Sequence, residues 1–222
     1  MMAAQEATMT VLITGANRGI GAALLAHYRH TDTAAFGTAR NPEGDLLSLD
    51  VTQPESVKEL ARRLNGLPIG LLVCNAGVYA DLGQSLESGY APMLWARSFS
   101  TNVMGVFLTI QALLPNLRAA HGKVAILSSA MGSDARAPGG SYIYRASKAA
   151  VLNLGRNLAA DLRPEGIAVG IYHPGWVKTD MGGPQAEITV AQSVAGLTTR
   201  FDALNLTNSG CFESYDGAVI PF

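Results

Sequence analysis

The chain has 222 residues, 48% of them hydrophobic and only 15% charged, with a formal net charge of −1 from 16 basic and 17 acidic side chains. That length accommodates one α/β domain with a sizeable core, and no cluster of lysines and arginines is present to track a phosphate backbone, so nucleic acid is not an expected partner. No basic segment followed by a long apolar run opens the sequence and no apolar run reaches bilayer length, so a cytoplasmic protein with no membrane association is expected.

Short apolar runs alternate with helical periodicity along the chain. Val11–Ile13 is the first predicted strand, Ala34–Gly37 the second, Leu46–Leu49 the third and Leu71–Cys74 the fourth. Val124–Leu127, Ile167–Ile171 and a short stretch from Cys211 to Ser214 follow. The early strands are apolar throughout, as expected when helices cover both faces of a parallel sheet. Between strands, Val57, Leu60, Ala61 and Leu64 fall at i, i+3, i+4, i+7 after Pro54, a residue suited to a helix start. A longer helix carries Phe99, Val103, Val106, Phe107, Ile110, Leu114 and Leu117 on one side, and a third runs from about Tyr144 to Leu162, ahead of Pro164 and Gly166. This alternation predicts a doubly wound, Rossmann-type α/β fold: a parallel sheet of about seven strands in a single domain spanning residues 1–222, with residues 1–8 expected to be flexible.

Thr14-Gly15-Ala16-Asn17-Arg18-Gly19-Ile20-Gly21 directly follows the first strand and opens a helix. Glycines there allow a tight turn and let backbone approach a pyrophosphate seated on the helix N-terminus. The spacing, G-x-x-x-G-x-G, differs from the G-x-G-x-x-G dinucleotide fingerprint. The second strand ends in Gly37-Thr38-Ala39-Arg40, with no acid to accept from a ribose 2′-hydroxyl. Arg40, aided by Arg18, suits a 2′-phosphate instead. NADP(H) is therefore the expected cofactor, with NAD(H) possible.

Tyr144 and Lys148 stand at i, i+4, on one face of their helix. A free phenol, with a pKa of about 10, is a poor acid/base near neutrality, and a neighbouring ammonium stabilises the phenolate. Tyr142 has Ala146 at that spacing, so only Tyr144 has a lysine partner. Ser128-Ser129 ends the fifth strand, where open parallel sheets bind ligands and a hydroxyl can polarise a carbonyl. Ser129 and Ser128 point to opposite faces if the strand alternation continues.

The glycine loop, Asn75-Ala76-Gly77, Asn102, Ser129, Tyr144, Lys148 and His173-Pro174-Gly175-Trp176-Val177-Lys178-Thr179 occur in the order and context of the short-chain dehydrogenase/reductase family. The resemblance covers the chain from about Thr10 to Phe222. The stretch from Tyr144 to Gly183 and the terminal Tyr215-Asp216-Gly217 to Pro221-Phe222 most resemble the small C-factor-like and sniffer-like carbonyl-reductase members. The resemblance implies an oxidoreductase acting on a small carbonyl or alcohol substrate. It implies Tyr144 as acid/base, Lys148 as its activator and ribose ligand, Ser129 as the residue that fixes the substrate oxygen, and Asn102 as part of a proton relay. Asn75 would brace the strands beside the cofactor, while Asp50, with Val51, would meet the adenine edge. Pro174 and Gly175 belong to the Pro-Gly turn, Val177 would reach the carboxamide and Thr179 the pyrophosphate.

Arg40 and Asp50 lie too close in sequence for the helix most relatives place between the second and third strands, so that crossover is expected to be a loop. Val78 to Ala91 is expected to be a loop beside the site, and Met181 to Gly196 a substrate-covering loop hinged at Gly182-Gly183-Pro184. Trp176, Met181, Tyr79 and Tyr142 are candidates for an aromatic or apolar pocket, or for ordinary packing. Cys74 and Cys211 form no Cys-x-x-Cys pair, and His27, His30, His121 and His173 have no zinc-ligand spacing, so no metal is expected. The long apolar helices lie where relatives pair, so a homodimer or homotetramer is expected. Two other readings stay open: a cofactor-binding signalling or sensor protein with little turnover, and an epimerase or dehydratase on the same fold.

Overall fold

The computed structural model describes residues 9–31 and 33–222; the expectation of a flexible segment at residues 1–8 lies outside them. Seven strands form one parallel sheet in the order β3-β2-β1-β4-β5-β6-β7. They are β1 (Thr10–Ile13), β2 (Ala34–Ala39), β3 (Leu47–Ser48), β4 (Leu71–Cys74), β5 (Lys123–Leu127), β6 (Ala168–His173) and β7 (Phe212–Ser214). Each matches a run expected from the sequence. Alternation along a strand sends successive side chains to opposite faces, and here both faces are covered. Leu12, Leu72, Val124 and Ile126 pack on one side. There they meet α2 (Pro54–Arg63), α4 (Gly105–Ala112), α5 (Leu114–Ala120) and α6 (Tyr142–Leu162). Val11, Ile13, Val73 and Leu127 pack on the other side against α1 (Gly19–His30) and α7 (Val190–Ala203). An apolar side chain fully buried this way contributes about 1.5–3 kcal/mol, which is why these strands carry no polar alternation.

The β2–β3 crossover is a loop over residues 40–46, as the sequence requires, and β3 is correspondingly short. The long helix expected from Phe99 to Leu117 is not continuous. It begins earlier, as α3 (Pro92–Phe99), passes through a π-helical segment at Ser100–Met104 into α4, and bends by 58° into α5. Pro115, in the first turn of α5, cannot donate to the preceding helix, which accounts for the break. No single helix among the described residues is long and apolar enough to cross a membrane. The region from Met181 to Gly196 departs from expectation. Its second half is α7, opened by a capping box in which Thr189 Oγ1 accepts from Gln192 N–H and Gln192 Oε1 accepts from Thr189 N–H.

Candidate active site

The chain leaves β1 toward β2 on one side and β4 lies on the other, so the sheet splits its connections between these strands. Such a switch point leaves a crevice at the carboxyl ends. A cleft of about 450 Å³ opens there. Gly15, Asn17, Arg18, Gly19, Ile20 and Gly21 line it from the glycine loop. Arg40, Asp50 and Val51 line it from either side of β3, and Asn75, Ala76 and Gly77 from the end of β4. Tyr144 and Lys148 enter from α6, and Pro174 and Thr179 from the segment after β6. Asn102, Ser129, Gly175 and Val177 adjoin lining residues in sequence or contact without lining the cleft themselves. Val177 is buried and bridged to Ile188, and Gly175, at φ 87°, abuts Ile188 and Tyr215.

The glycine loop is shaped by contacts rather than by flexibility. Asn75 Nδ2 donates to Thr14 O and Gly15 O, both at 2.9 Å, which ties the end of β4 to the turn after β1. Gly21 packs so closely that a Cβ there would sit 2.3 Å from Gly15 O and 2.4 Å from Asn75 Nδ2. Gly15 and Gly19 have φ of 66° and 55°, the left-handed region that glycine enters without cost. No side chain caps α1 and its first turn holds no acid. Its N–H groups and positive dipole end therefore face the cleft unopposed. Arg18 Nη1 meets Asp180 Oδ2 at 2.6 Å across the cleft mouth, with both side chains largely exposed. Such a bridge is worth about 0–1 kcal/mol and opens readily.

At the other end, Lys148 Nζ donates to Leu127 O at 2.9 Å and lies 5.6 Å from the centroid of the Tyr144 ring. Burial pushes the lysine down to about 8. The phenol is pushed up to about 12, first by burial. The Ser129 hydroxyl beside it acts in the opposite sense, and Tyr79 and Asp81 add to the rise. The protein's own groups thus hold Tyr144 above its ordinary value, against the depression expected from the lysine one turn away. Of the two serines, Ser129 acts on the phenol and its Oγ also accepts from Met131 N–H. Ser128 touches the cleft but spends its hydroxyl on Lys148 O. Asn102, in the π-helical segment, uses its whole amide internally. Its Oδ1 accepts from Val78 N–H at 2.8 Å, and its Nδ2 donates to Val78 O and Ser147 Oγ.

Sequence reasoning missed several neighbours of the site. Asn41, Arg97, Thr101 and Asp180 line the cleft without any motif to mark them. Asp81, 1% exposed, accepts from the N–H groups of Ile143 and Tyr144. Met181 lines the cleft, whereas Trp176 and Tyr142 are outside its lining and substantially exposed. His173, half-buried at the end of β6, is pushed down to about 4, first by burial, so it is neutral at physiological pH. Among the described residues, no group of three or more His, Cys, Asp or Glu side chains is arranged to hold a metal.

With the glycine cradle, the uncapped helix end and the Tyr-Lys pair brought onto one cleft, the sequence profile of the short chain dehydrogenase family matches residues 9–188. The chain belongs to the short-chain dehydrogenase family. It is 43% identical over 160 residues to C-signal of Myxococcus xanthus, an alignment covering 70% of this chain and 93% of that protein. It superposes on the NADPH-bound carbonyl reductase from chicken fatty liver with a TM-score of 0.88 at 32% identity, covering 97% and 99% of the two chains. The carbonyl reductase Sniffer of Drosophila melanogaster gives a TM-score of 0.89 at 26% identity, covering 97% and 99%.

Proposed function

We propose that the protein is an NADP(H)-dependent oxidoreductase that interconverts a carbonyl and an alcohol, with Tyr144 as acid/base. The observation that carries this reading is the placement of Tyr144 and Lys148 on the same cleft as an uncapped helix N-terminus built on close-packed glycines. Those residues fit a dinucleotide. Gly15, Gly19, Ile20 and Gly21 would hold its pyrophosphate, with Thr179 closing from the opposite wall. Arg40 and Arg18 would hold a 2′-phosphate, Arg18 leaving Asp180 to do so. Asp50 and Val51 would flank the adenine, while Lys148 would meet the nicotinamide ribose. When bound, the nicotinamide supplies or accepts the hydride.

The chain's own residues do the rest. Ser129 orients the substrate oxygen toward the phenol. Tyr144 donates its proton to that oxygen in reduction and takes one back in oxidation. A phenol held as high as about 12 is poised to stay protonated, and Lys148, the cation beside it, offsets the charge left when the proton leaves. Asn102 keeps Val78 and Ser147 in place around the pair.

The carbonyl-reductase neighbours support this reading, the chicken enzyme in its NADPH-bound form. The likeness to C-signal favours one alternative, a signalling protein that binds the cofactor and turns over little. Incubation with NADPH and a panel of ketones, aldehydes and quinones, followed at 340 nm, separates them: the enzyme reading expects turnover, the sensor reading binding alone. For the cofactor, Arg40→Asp is expected to cut the preference for NADPH over NADH at least tenfold in kcat/KM, because a charge-assisted contact worth about 1.5–3 kcal/mol is lost. An unchanged ratio would remove Arg40 from the assignment.

A further inference from the structure

The helix that carries Tyr144 begins without a cap of its own. Ser141, at its N-cap, has φ 49° and makes no capping hydrogen bond through its side chain. The N–H groups of the first turn have no partner inside a helix. Asp81, distant in sequence and almost fully buried, supplies one: its Oδ2 accepts from Ile143 N–H at 2.9 Å and its Oδ1 from Tyr144 N–H at 3.1 Å. Two residues before it, the Tyr79 ring stacks on the Tyr144 ring, with centroids 4.2 Å apart and planes at 19°. The Tyr79 hydroxyl is hydrogen-bonded to that of Ser141. The loop is rooted in turn, since both backbone polar groups of Val78 are bonded to the Asn102 side chain. Ser147 Oγ, bonded to the same asparagine, donates to Tyr144 O. Tyr144 is therefore gripped at its N–H, its carbonyl and its ring face.

We propose that Tyr79 and Asp81 are positioning residues for Tyr144, the carboxylate fixing the first turn of α6 and the Tyr79 ring fixing the plane of the phenol. This rests on the reading of Tyr144 as the acid/base. Neither residue touches the reacting atoms in this scheme. A carboxylate at a helix N-terminus opposes the positive dipole end. Its charge also faces the phenol and disfavours the phenolate. The groups acting on the phenol are Asp81 and Tyr79 from the loop and the Ser129 hydroxyl from the end of β5, and the Lys148 ammonium on α6 lies 5.6 Å from its ring centroid. Removal of the Asp81 charge lowers the cost of the phenolate, so the pH at which Tyr144 loses its proton falls.

The test compares the wild type with Asp81→Asn, Tyr79→Leu, Tyr79→Phe and Tyr144→Phe. NADPH-driven reduction of a carbonyl compound from the panel is measured across pH, with a thermal melt for each variant. In Asp81→Asn the alkaline limb of kcat is expected to move to lower pH, with kcat down roughly tenfold and KM for NADPH unchanged, since small misplacement of an acting group costs rate rather than binding. Tyr79→Leu is expected to lose a similar factor in kcat and Tyr79→Phe, which keeps the stacked ring, to recover most of it. An unmoved limb in Asp81→Asn, or wild-type kcat in Tyr79→Leu, overturns the proposal while Tyr144→Phe stays inactive. An active Tyr144→Phe overturns the acid/base reading instead. If Asp81→Asn fails to fold, the Tyr79 pair decides alone.

Discussion

Lys148 is an ammonium inside the protein whose hydrogen bond to the chain goes to Leu127 O, and burial drags it from an ordinary 10.5 down to about 8. A lysine depressed in the native state binds fewer protons there than in the unfolded chain. Stability therefore rises with pH between about 8 and 10.5, and the penalty is fully present below about 8. Lys148→Met is accordingly expected to raise the melting temperature at pH 7, by roughly 2–4 °C for each kcal/mol relieved, while abolishing turnover. Its advantage over the wild type shrinks as the pH climbs through the window. Melting curves at pH 7 and pH 9.5 check this, and a variant no more stable at pH 7 contradicts it. The pair itself was legible in the sequence, because an i, i+4 spacing on a helix places side chains together. The balance of forces on Tyr144 was not, since desolvation depends on what the whole fold packs around the ring. Asp81 was illegible for the same reason: its partners, Ile143 and Tyr144, lie on another element and no spacing connects them.

Elements are specified by different signals, and those signals differ in reach. The glycine loop is a case where local sequence and tertiary contact agree. Gly21→Ala places a methyl against Gly15 O and Asn75 Nδ2. The backbone has to shift, at a cost of about 1–3 kcal/mol for overpacking, and the cradle shifts with it. The expected outcome is a lower denaturation midpoint together with NADPH affinity weakened at least tenfold, measured by fluorescence titration; a variant that binds NADPH like the wild type would falsify the cradle. Strands were legible because burial on both faces writes them as continuous apolar runs, from Val11–Ile13 to Leu71–Cys74. Thr189 and Gln192 stand at capping-box spacing ahead of α7, a local signal that the expectation of a covering loop did not use. The π-helical turn at Ser100–Met104 has no such signature. It places Asn102 where its amide binds Val78 and Ser147, a tertiary arrangement that helical periodicity does not encode.

At the scale of the molecule, the doubly covered sheet and its switch point follow from the order of the elements, and the cleft follows from the switch point. The missing β2–β3 helix was visible as a shortage of residues. Its consequence is that Arg40 and Asn41 line the cleft from a loop. What the cleft binds at one end and protonates at the other are the linked claims of the account. Reduction of a carbonyl panel by NADPH, compared between wild type and Tyr144→Phe at equal NADPH occupancy, tests them together. The account predicts wild-type oxidation of NADPH on at least one compound, and a loss of about 10²–10⁴-fold in kcat for Tyr144→Phe, the contribution typical of a positioned acid. NADPH binding without turnover by the wild type, or turnover that survives in Tyr144→Phe, contradicts it.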